Sequence, residues 1–464
     1  MPREPVSWVA NEPNRQASAA VGPSAVPSRT RAIWSSGRTR AFPFGFALRH
    51  VLRYLVRERP FITGFALLAS TQTDTGGRLP HLDMIRGLAA LEVCVGHLRA
   101  FFMVDYPQTS GGLVARSFYF LTGLQHQAVM IFFVLSGFLV GGSVIRANRR
   151  GTWHWSDYLL RRLSRLWIVI VPALVLTLGW DLLGTHLDPA AYRGAYYAEL
   201  LSGPWRGHST LTLKNFLGSL AFLQTIVVQP FGSNGPMKTL ANEFWYYMLF
   251  PLFLQAAQRR ETPLARAIAV ALIAAICLLL PMNILSYGLM WLLGVVAFLA
   301  LDHPATSRLV ARWPVGVAGL VVLVIALLAA RNRLDLPEYF VISAAFAAAL
   351  PWLARARSPS ALYRRIGFGL SEMSYTLYLV HFPLAACLYF VLQAPRQWSF
   401  TALSVAGLAG VLAVEMLYAG AIWWLFERNT DRVRAFVERF LPSPTRPDET
   451  AVVASVTEGA AVLR

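Results

Sequence analysis

Arg86 and His97 stand eleven positions apart in the segment LDMIRGLAALEVCVGHLRAFF, residues 82–102. On a helix at about 100° per residue, eleven steps end roughly 20° past three full turns and about 16 Å further along the axis. The two side chains therefore share one face, a guanidinium near one end and an imidazole deeper in. A guanidinium binds phosphate oxygens bidentately. A buried neutral imidazole accepts a proton near neutral pH and can act as general base toward a hydroxyl nucleophile. Together they suit a long substrate with an anionic head and a reactive end. The same residues also fit a histidine hydrogen-bonded for packing and an arginine snorkelling from a helix end, and the spacing alone leaves both readings open. Glu92 falls well off the shared face and needs a partner of its own.

The elements that must carry such residues follow from composition. The 464 residues are 56% hydrophobic and only 14% charged, yet 42 Lys+Arg against 24 Asp+Glu give a net charge of +18. Most of the chain is too apolar for disorder, and the long apolar runs argue against a nucleic-acid-binding protein. An all-α, polytopic membrane protein fits both facts if the arginines gather in one set of loops. With about 20 residues per crossing, ten candidate spans can be read at 84–104, 126–146, 161–181, 238–258, 266–281, 283–301, 314–330, 337–354, 371–393 and 401–426. The stretch 214–230 is an eleventh, weaker case, taken as an interfacial helix that does not cross. With both termini cytoplasmic, the inner loops then hold Arg146, Arg149, Arg150, Arg161, Arg162, Arg165, Arg259, Arg260, Arg266, Arg308, Arg312, Arg355, Arg357, Arg364 and Arg365, while the outer loops keep fewer cations. If 214–230 crossed, the later basic clusters would face outward.

Residues 1–80 read as a basic cytoplasmic segment, disordered over 1–42, with an amphipathic pattern at 46–57 that places Arg49, Arg53 and Arg57 opposite Leu48, Val51, Leu52 and Leu55. Such a helix would lie on an anionic leaflet or simply be solvated. Residues 81–430 form the membrane domain and 431–464 a cytoplasmic tail. Cys94, Cys277 and Cys387 sit singly in apolar stretches without metal-ligand spacing, so no metal site is expected. No phosphate-binding loop, dinucleotide fingerprint or nucleophile elbow is present. No internal repeat supports a repeat-built transporter.

Several segments, in order, resemble the membrane-bound acyltransferase family 3. The first helix resembles its LDxLRG start followed by a histidine. IFFVLSGFLVGG (131–142) resembles its second-helix motif, with Ser136. RRLSRLWIVIVP (161–172) resembles its Arg-x-x-Arg motif, here Arg162 and Arg165. LANEFWYYMLFP (240–251) resembles a segment with Glu243, Tyr247 and Pro251, and SYTLYLVHFPL (374–384) with FERN (426–429) resembles the closing helices, with Tyr375, His381 and Glu427. The resemblance spans roughly residues 80–430.

It implies transfer of an acyl group, usually acetyl, from acyl-CoA as co-substrate to a hydroxyl of a carbohydrate or glycolipid acceptor at the bacterial inner membrane. No other cofactor and no nucleic acid partner are implied. His97 would be catalytic with Arg86, and Arg86, Arg162 and Arg165 would hold the donor. Glu243, Tyr247, His381 and Ser136 would bind or support the acceptor. The chain would be the stand-alone form, without the SGNH hydrolase-like domain that follows in some members. From the residues themselves, His381 reaches a depth similar to that of His97, so the two could meet, or His381 could bond a backbone carbonyl. Glu243 could bind acceptor hydroxyls or pair with Arg99, and its aromatic neighbours Phe244, Trp245 and Tyr246 could form an interfacial belt or a sugar platform. Arg161 is expected only to anchor topology, and Glu427 to be structural. The alternative from another class is a transporter or flippase of a lipid-linked saccharide, with the buried ionisable groups lining its pathway.

Overall fold

The computed structural model describes residues 79–106, 112–193, 210–329, 335–357, 360–392 and 396–440. The expected amphipathic helix at 46–57 and disordered stretch at 1–42 lie outside the described residues. Among the described residues the chain is helical, broken only by turns and isolated bridges. In order come α1 (Pro80–Phe102), α2 (Gly112–Leu121), α3 (Gln125–Ser136), a π-helical segment (Gly137–Gly141), α4 (Gly142–Arg149), α5 (Trp155–Leu187) and α6 (Pro189–Arg193). After them come α7 (Leu213–Leu220), α8 (Met237–Ala257), α9 (Pro263–Leu279), α10 (Met282–Asp302), α11 (Pro304–Val310) and α12 (Trp313–Ala329). The last are α13 (Leu336–Arg355), α14 (Ala361–Leu392), α15 (Ala402–Leu425) and α16 (Thr430–Glu438).

All ten apolar stretches read from the sequence fall on helices, to within a few residues. Six helical spans among the described residues are long and apolar enough to cross a membrane, or seven if α11 and α12, bent by 63°, make one broken span. Several starts are written in the sequence. Thr262, Asp335 and Thr401 each accept the backbone N–H three residues on, capping α9, α13 and α15. Pro80 opens α1, where its missing N–H costs nothing, and Asp83 faces the positive end of the helix dipole.

The stretch 214–230 is not one interfacial helix. Helix α7 stops after eight residues, a rise of about 12 Å and far short of a membrane crossing. The chain then turns back into the bundle. Phe222 and Thr225 adopt positive φ, and Phe222, Gln224, Phe231, Ser233 and Asn234 are buried. Buried backbone needs partners, and these come from the neighbouring helices. Asp181 Oδ2 accepts from Ser233 N (2.7 Å), and Asn234 Nδ2 donates to Thr177 Oγ1 (3.1 Å) and Leu379 O (2.9 Å). Residues 430–438, read as tail from 431 on, form α16, where Arg434 pairs with Asp431 and Glu438 one turn away on either side.

Helices α1 and α14 make the most extensive pairing. They run parallel and in register. His81 Nδ1 meets Tyr363 Oη (2.9 Å), Ser371 Oγ donates to Asp83 Oδ1 (3.2 Å), and His97 meets His381, at sequence separations of 282, 288 and 284. The π-helical segment packs on α10 just as closely. A Cβ on Gly137 would lie 1.8 Å from Trp291 O, and one on Gly294 would lie 1.9 Å from Val134 O. Small residues at such crossings let backbones touch. Gly137→Ala should therefore lower the unfolding midpoint in detergent, at a cost of about 1–3 kcal/mol. Gly179→Ala, whose Cβ meets open space, should not. Equal midpoints for the two variants would show that the helices do not touch at Gly137.

Candidate functional site

A cavity of about 330 Å³ opens between α1, α3, α5, α8 and α14. Seven of the residues singled out from the sequence line it: Arg86, Ser136, Arg162, Arg165, Glu243, Tyr247 and Tyr375. They come from five separate stretches of chain, so the arrangement is a product of the fold. The exposed Arg161 is not among the lining residues.

The arginines are under-partnered. Arg86 Nη2 lies 3.5 Å from Asp83 Oδ1, a long contact, and its Nε is buried without a hydrogen-bond acceptor. Arg162 Nε is likewise buried and unsatisfied, while its Nη2 reaches Ser143 Oγ only at 3.4 Å. The Arg162 guanidinium sits 5.7 Å from the ring centroids of both Tyr158 and Tyr247. Among the described residues neither Arg162 nor Arg165 forms an ion pair. A buried N–H left unmade costs roughly 1–3 kcal/mol, more when charged. Guanidinium groups facing a cavity in this state fit a phosphate-type anion, two of whose oxygens accept from the planar guanidinium fork.

A directed string of hydrogen bonds closes one wall. Trp291 Nε1 donates to Ser136 Oγ (3.1 Å), Ser136 Oγ lies 3.1 Å from Tyr247 Oη, and Tyr247 Oη donates to Glu243 Oε1 (2.5 Å). An ionised carboxylate only accepts, so the Tyr247 proton points to Glu243 and the Ser136 proton to Tyr247. Glu243 thus takes Tyr247 as partner, and of the two alternatives read from the sequence the pairing with Arg99 does not form. Arg99 Nε donates to Thr122 O (3.2 Å) instead. The neighbouring aromatics fasten α8 to adjacent segments: Tyr246 Oη donates to Ile284 O (2.6 Å), Trp245 Nε1 to Phe222 O (3.0 Å), and Phe244 stacks on Phe222 at 4.1 Å. Glu92 finds its separate partner in Leu124 N (2.8 Å), and Glu427 accepts from Thr376 N and Oγ1.

His97 and His381 do meet. His97 Nδ1 lies 2.9 Å from His381 Nε2, and His381 Nδ1 lies 2.9 Å from Leu377 O. A carbonyl cannot donate, so the His381 proton sits on Nδ1 and its Nε2 accepts from His97 Nδ1–H. That order leaves the lone pair of His97 on Nε2. Both suggestions for His381, partner of His97 and bond to a carbonyl, therefore hold at once. Phe382 packs edge-on to His97 at 5.0 Å and holds its plane.

The histidine pair is not among the residues that line the arginine-lined cavity, so Arg86 and His97 share a helix without both opening onto this cavity. Thr239 and Tyr378 line the cavity, their hydroxyls bonded to one another and both within reach of Pro236 O at 3.0 and 3.2 Å. Phe132 stands edge-on to Tyr378 at 6.0 Å, and the Tyr378 and His381 rings are 6.3 Å apart. This layer lies next to the histidines. Sequence reasoning passed over Thr239 and Tyr378, although Tyr378 lies three residues before His381, a spacing that shares a helix face.

Residues 79–419 match the model of acyltransferase family 3, described as an acyltransferase domain. No curated protein and no solved structure matches the chain.

The directed string carries its own test. Tyr247→Phe removes the donor to Glu243 and should cost about 1.5–3 kcal/mol of stability, the range for a bond to a charged group. Ser136→Ala leaves that bond in place and should cost less. Thermal unfolding of the two variants in detergent checks the order, and a reversed order would mean the carboxylate draws its support elsewhere.

Proposed function

The chain belongs to acyltransferase family 3, multi-pass membrane enzymes that pass an acyl group to a hydroxyl acceptor, and from that premise we propose that its donor is acyl-CoA and its usual cargo acetyl. The acceptor is a carbohydrate or glycolipid hydroxyl at the bacterial inner membrane. The observation that carries this reading is the cavity with two buried, unsatisfied guanidinium nitrogens, Arg86 Nε and Arg162 Nε, placed one side-chain layer from an imidazole with a free Nε2.

Arg86, Arg162 and Arg165 hold the phosphates of the donor. The acyl end extends past Thr239 and Tyr378, which must part to admit it. His97 Nε2 removes the proton of the acceptor hydroxyl as the oxygen attacks the thioester carbonyl. The resulting imidazolium is stabilised by His381, whose own proton is held by Leu377 O. Collapse of the tetrahedral intermediate breaks the carbon–sulfur bond, and the departing thiolate takes the proton back from His97. His97 is the catalytic residue and His381 a positioning residue. Ser136, Tyr247 and Glu243 shape the wall of the donor cavity.

The proposed topology has ten crossings with both termini cytoplasmic. Contacts between connecting segments support it, because they join only loops assigned to one side. Arg149 pairs with Asp302, Arg260 Nη2 donates to Asn148 O (3.0 Å), and Arg355 Nη1 to Ser307 O (3.4 Å). At the other end Val104 N donates to Trp398 O (3.1 Å).

Purified protein in detergent, where no transport registers, should consume acetyl-CoA in step with acceptor acylation. His97→Ala should lower kcat by about 10²–10⁴ with the chain still folded. Arg162→Ala should raise the KM for acetyl-CoA by about tenfold or more, the loss of a charge-assisted bond. His381→Ala should lower kcat by a smaller factor and leave that KM unchanged. Transfer by His97→Ala at the unaltered rate would remove His97 from the chemistry, and no acetyl-CoA turnover by the unaltered chain would favour a carrier.

A further inference from the structure

A second cavity, of about 520 Å³, opens between the first turns of α14 and the last turns of α15. Residues 365–373 of one helix meet residues 420–424 of the other there, so the two run antiparallel. The wall is largely apolar, with Ile366, Leu370, Met373, Trp423 and Trp424. Gly369 and Gly420 widen it, since a Cβ on either would meet nothing within 4 Å. Ile366 and Trp424 are 46% and 57% exposed. The cavity is therefore a cleft open on the flank of the bundle.

Positive charge gathers at one end of this cleft. Arg365 lines it, is exposed, and makes no hydrogen bond or ion pair among the described residues. The Arg428 guanidinium lies 5.5 Å from the ring centroid of Trp424 on the wall, and it too forms no ion pair among them. The carboxylate on the lining, Glu372, lies seven residues on from Arg365, about 10.5 Å further along the helix axis. Tryptophans beside arginines at the ends of membrane helices mark the level of lipid headgroups. An apolar cleft takes up no water, and left empty it forfeits the dispersion contacts of its walls. Its complement is a hydrocarbon chain with an anion at the head.

We propose that the cleft binds an anionic phospholipid, its phosphate held by Arg365 and Arg428 and one acyl chain lying along Gly369 and Gly420. Basic pockets between membrane helices take such headgroups. The cleft sits at the same end of the bundle as Arg86. Leu370 on its wall is the residue against which Gly87 of α1 lies, and the next residue, Ser371, bonds Asp83. A chain filling the cleft packs on Leu370 and so braces the contact of α1 with α14. A zwitterionic phospholipid offers the same chain but carries its own cation beside the phosphate. A second copy of this protein would bring its own arginines to the same mouth.

Native mass spectrometry of the full chain in detergent, titrated with dioleoyl phosphatidylglycerol or dioleoyl phosphatidylcholine, tests this. The two lipids share their chains and differ in charge. Phosphatidylglycerol should bind about tenfold or more tightly, as expected of two basic groups beside the headgroup. Arg365→Gln should reduce that preference below about threefold, and Arg428→Gln should reduce it in part. Gly369→Leu, which places a side chain in the cleft, should weaken both adducts about tenfold. Arg161→Gln, which removes an exposed arginine of α5, should change nothing. Equal binding of the two lipids, no adduct with either, or a preference that survives Arg365→Gln overturns the proposal. A preference lost with Arg161→Gln overturns it by showing diffuse attraction to basic loops. Displacement of the lipid by glycerol 3-phosphate overturns it by leaving an anion site without a chain. A dimer lost with Gly369→Leu, in place of the adduct, gives the cleft to a second copy. Arg365 makes no bond within the fold, so its variant should keep the unfolding midpoint of the lipid-free chain. Arg428→Gln applies the same criterion from the other helix.

Discussion

The parallel contact of α1 with α14 fixes where everything else in the site stands. Two helices that run side by side in register bring residue pairs together at each turn, and here the pairs are specific. At one end a histidine meets a tyrosine, next an aspartate meets a serine, and further along both helices a histidine meets a histidine. Close approach is possible because Gly87 lies against Leu370 and Gly367 against Met84. The same contact aims Arg86 into the cavity from one end and sets His97 against His381 at the other. Sliding α14 by one residue, about 1.5 Å, would separate the imidazoles and pull Ser371 from Asp83 together.

Around that pair, the site is organised by the poor solvation available to charge inside a bilayer. Polar groups within helices must bond to each other, to a ligand or to water in a cavity. Most do so here. Glu92, Glu243 and Glu427 each have a donor, and the buried segment after α7 bonds into α5 and α14. Against that background the exceptions stand out. The unsatisfied Arg86 and Arg162 nitrogens face one cavity, and both carboxylate oxygens of the buried Glu415 on α15 also lack a partner.

The long helices were legible because each coincides with an apolar run, a signal that needs no tertiary context. The grouping of Arg86 with His97 on one helix face was legible from spacing, and the meeting of His97 with His381 from matched depth. Other features depended on contacts that periodicity cannot carry. The hydroxyl layer of Thr239 and Tyr378 joins residues 139 positions apart, so it is invisible in either segment alone. For Glu243 the sequence offered acceptor hydroxyls or Arg99 at a similar depth, and the hydrogen bond it makes is to Tyr247, one turn away on the same helix. The π-helical segment lies inside an unbroken apolar run, and only the glycines at 137, 141 and 142 hint that the backbone there is pressed against another helix. The turn back after α7 was hidden because Leu, Phe and Val fill that stretch as they would a helix.

The string from Trp291 through Ser136 and Tyr247 to Glu243 has a direction, since a carboxylate at one end and an indole N–H at the other leave each hydroxyl a single way to point. The string crosses from α8 through α3 to α10, so the indole of Trp291 is tied through two hydroxyls to a carboxylate it never touches. One turn of α8 and one residue at the end of α3 thereby brace the crossing at which the π-helical segment presses on α10.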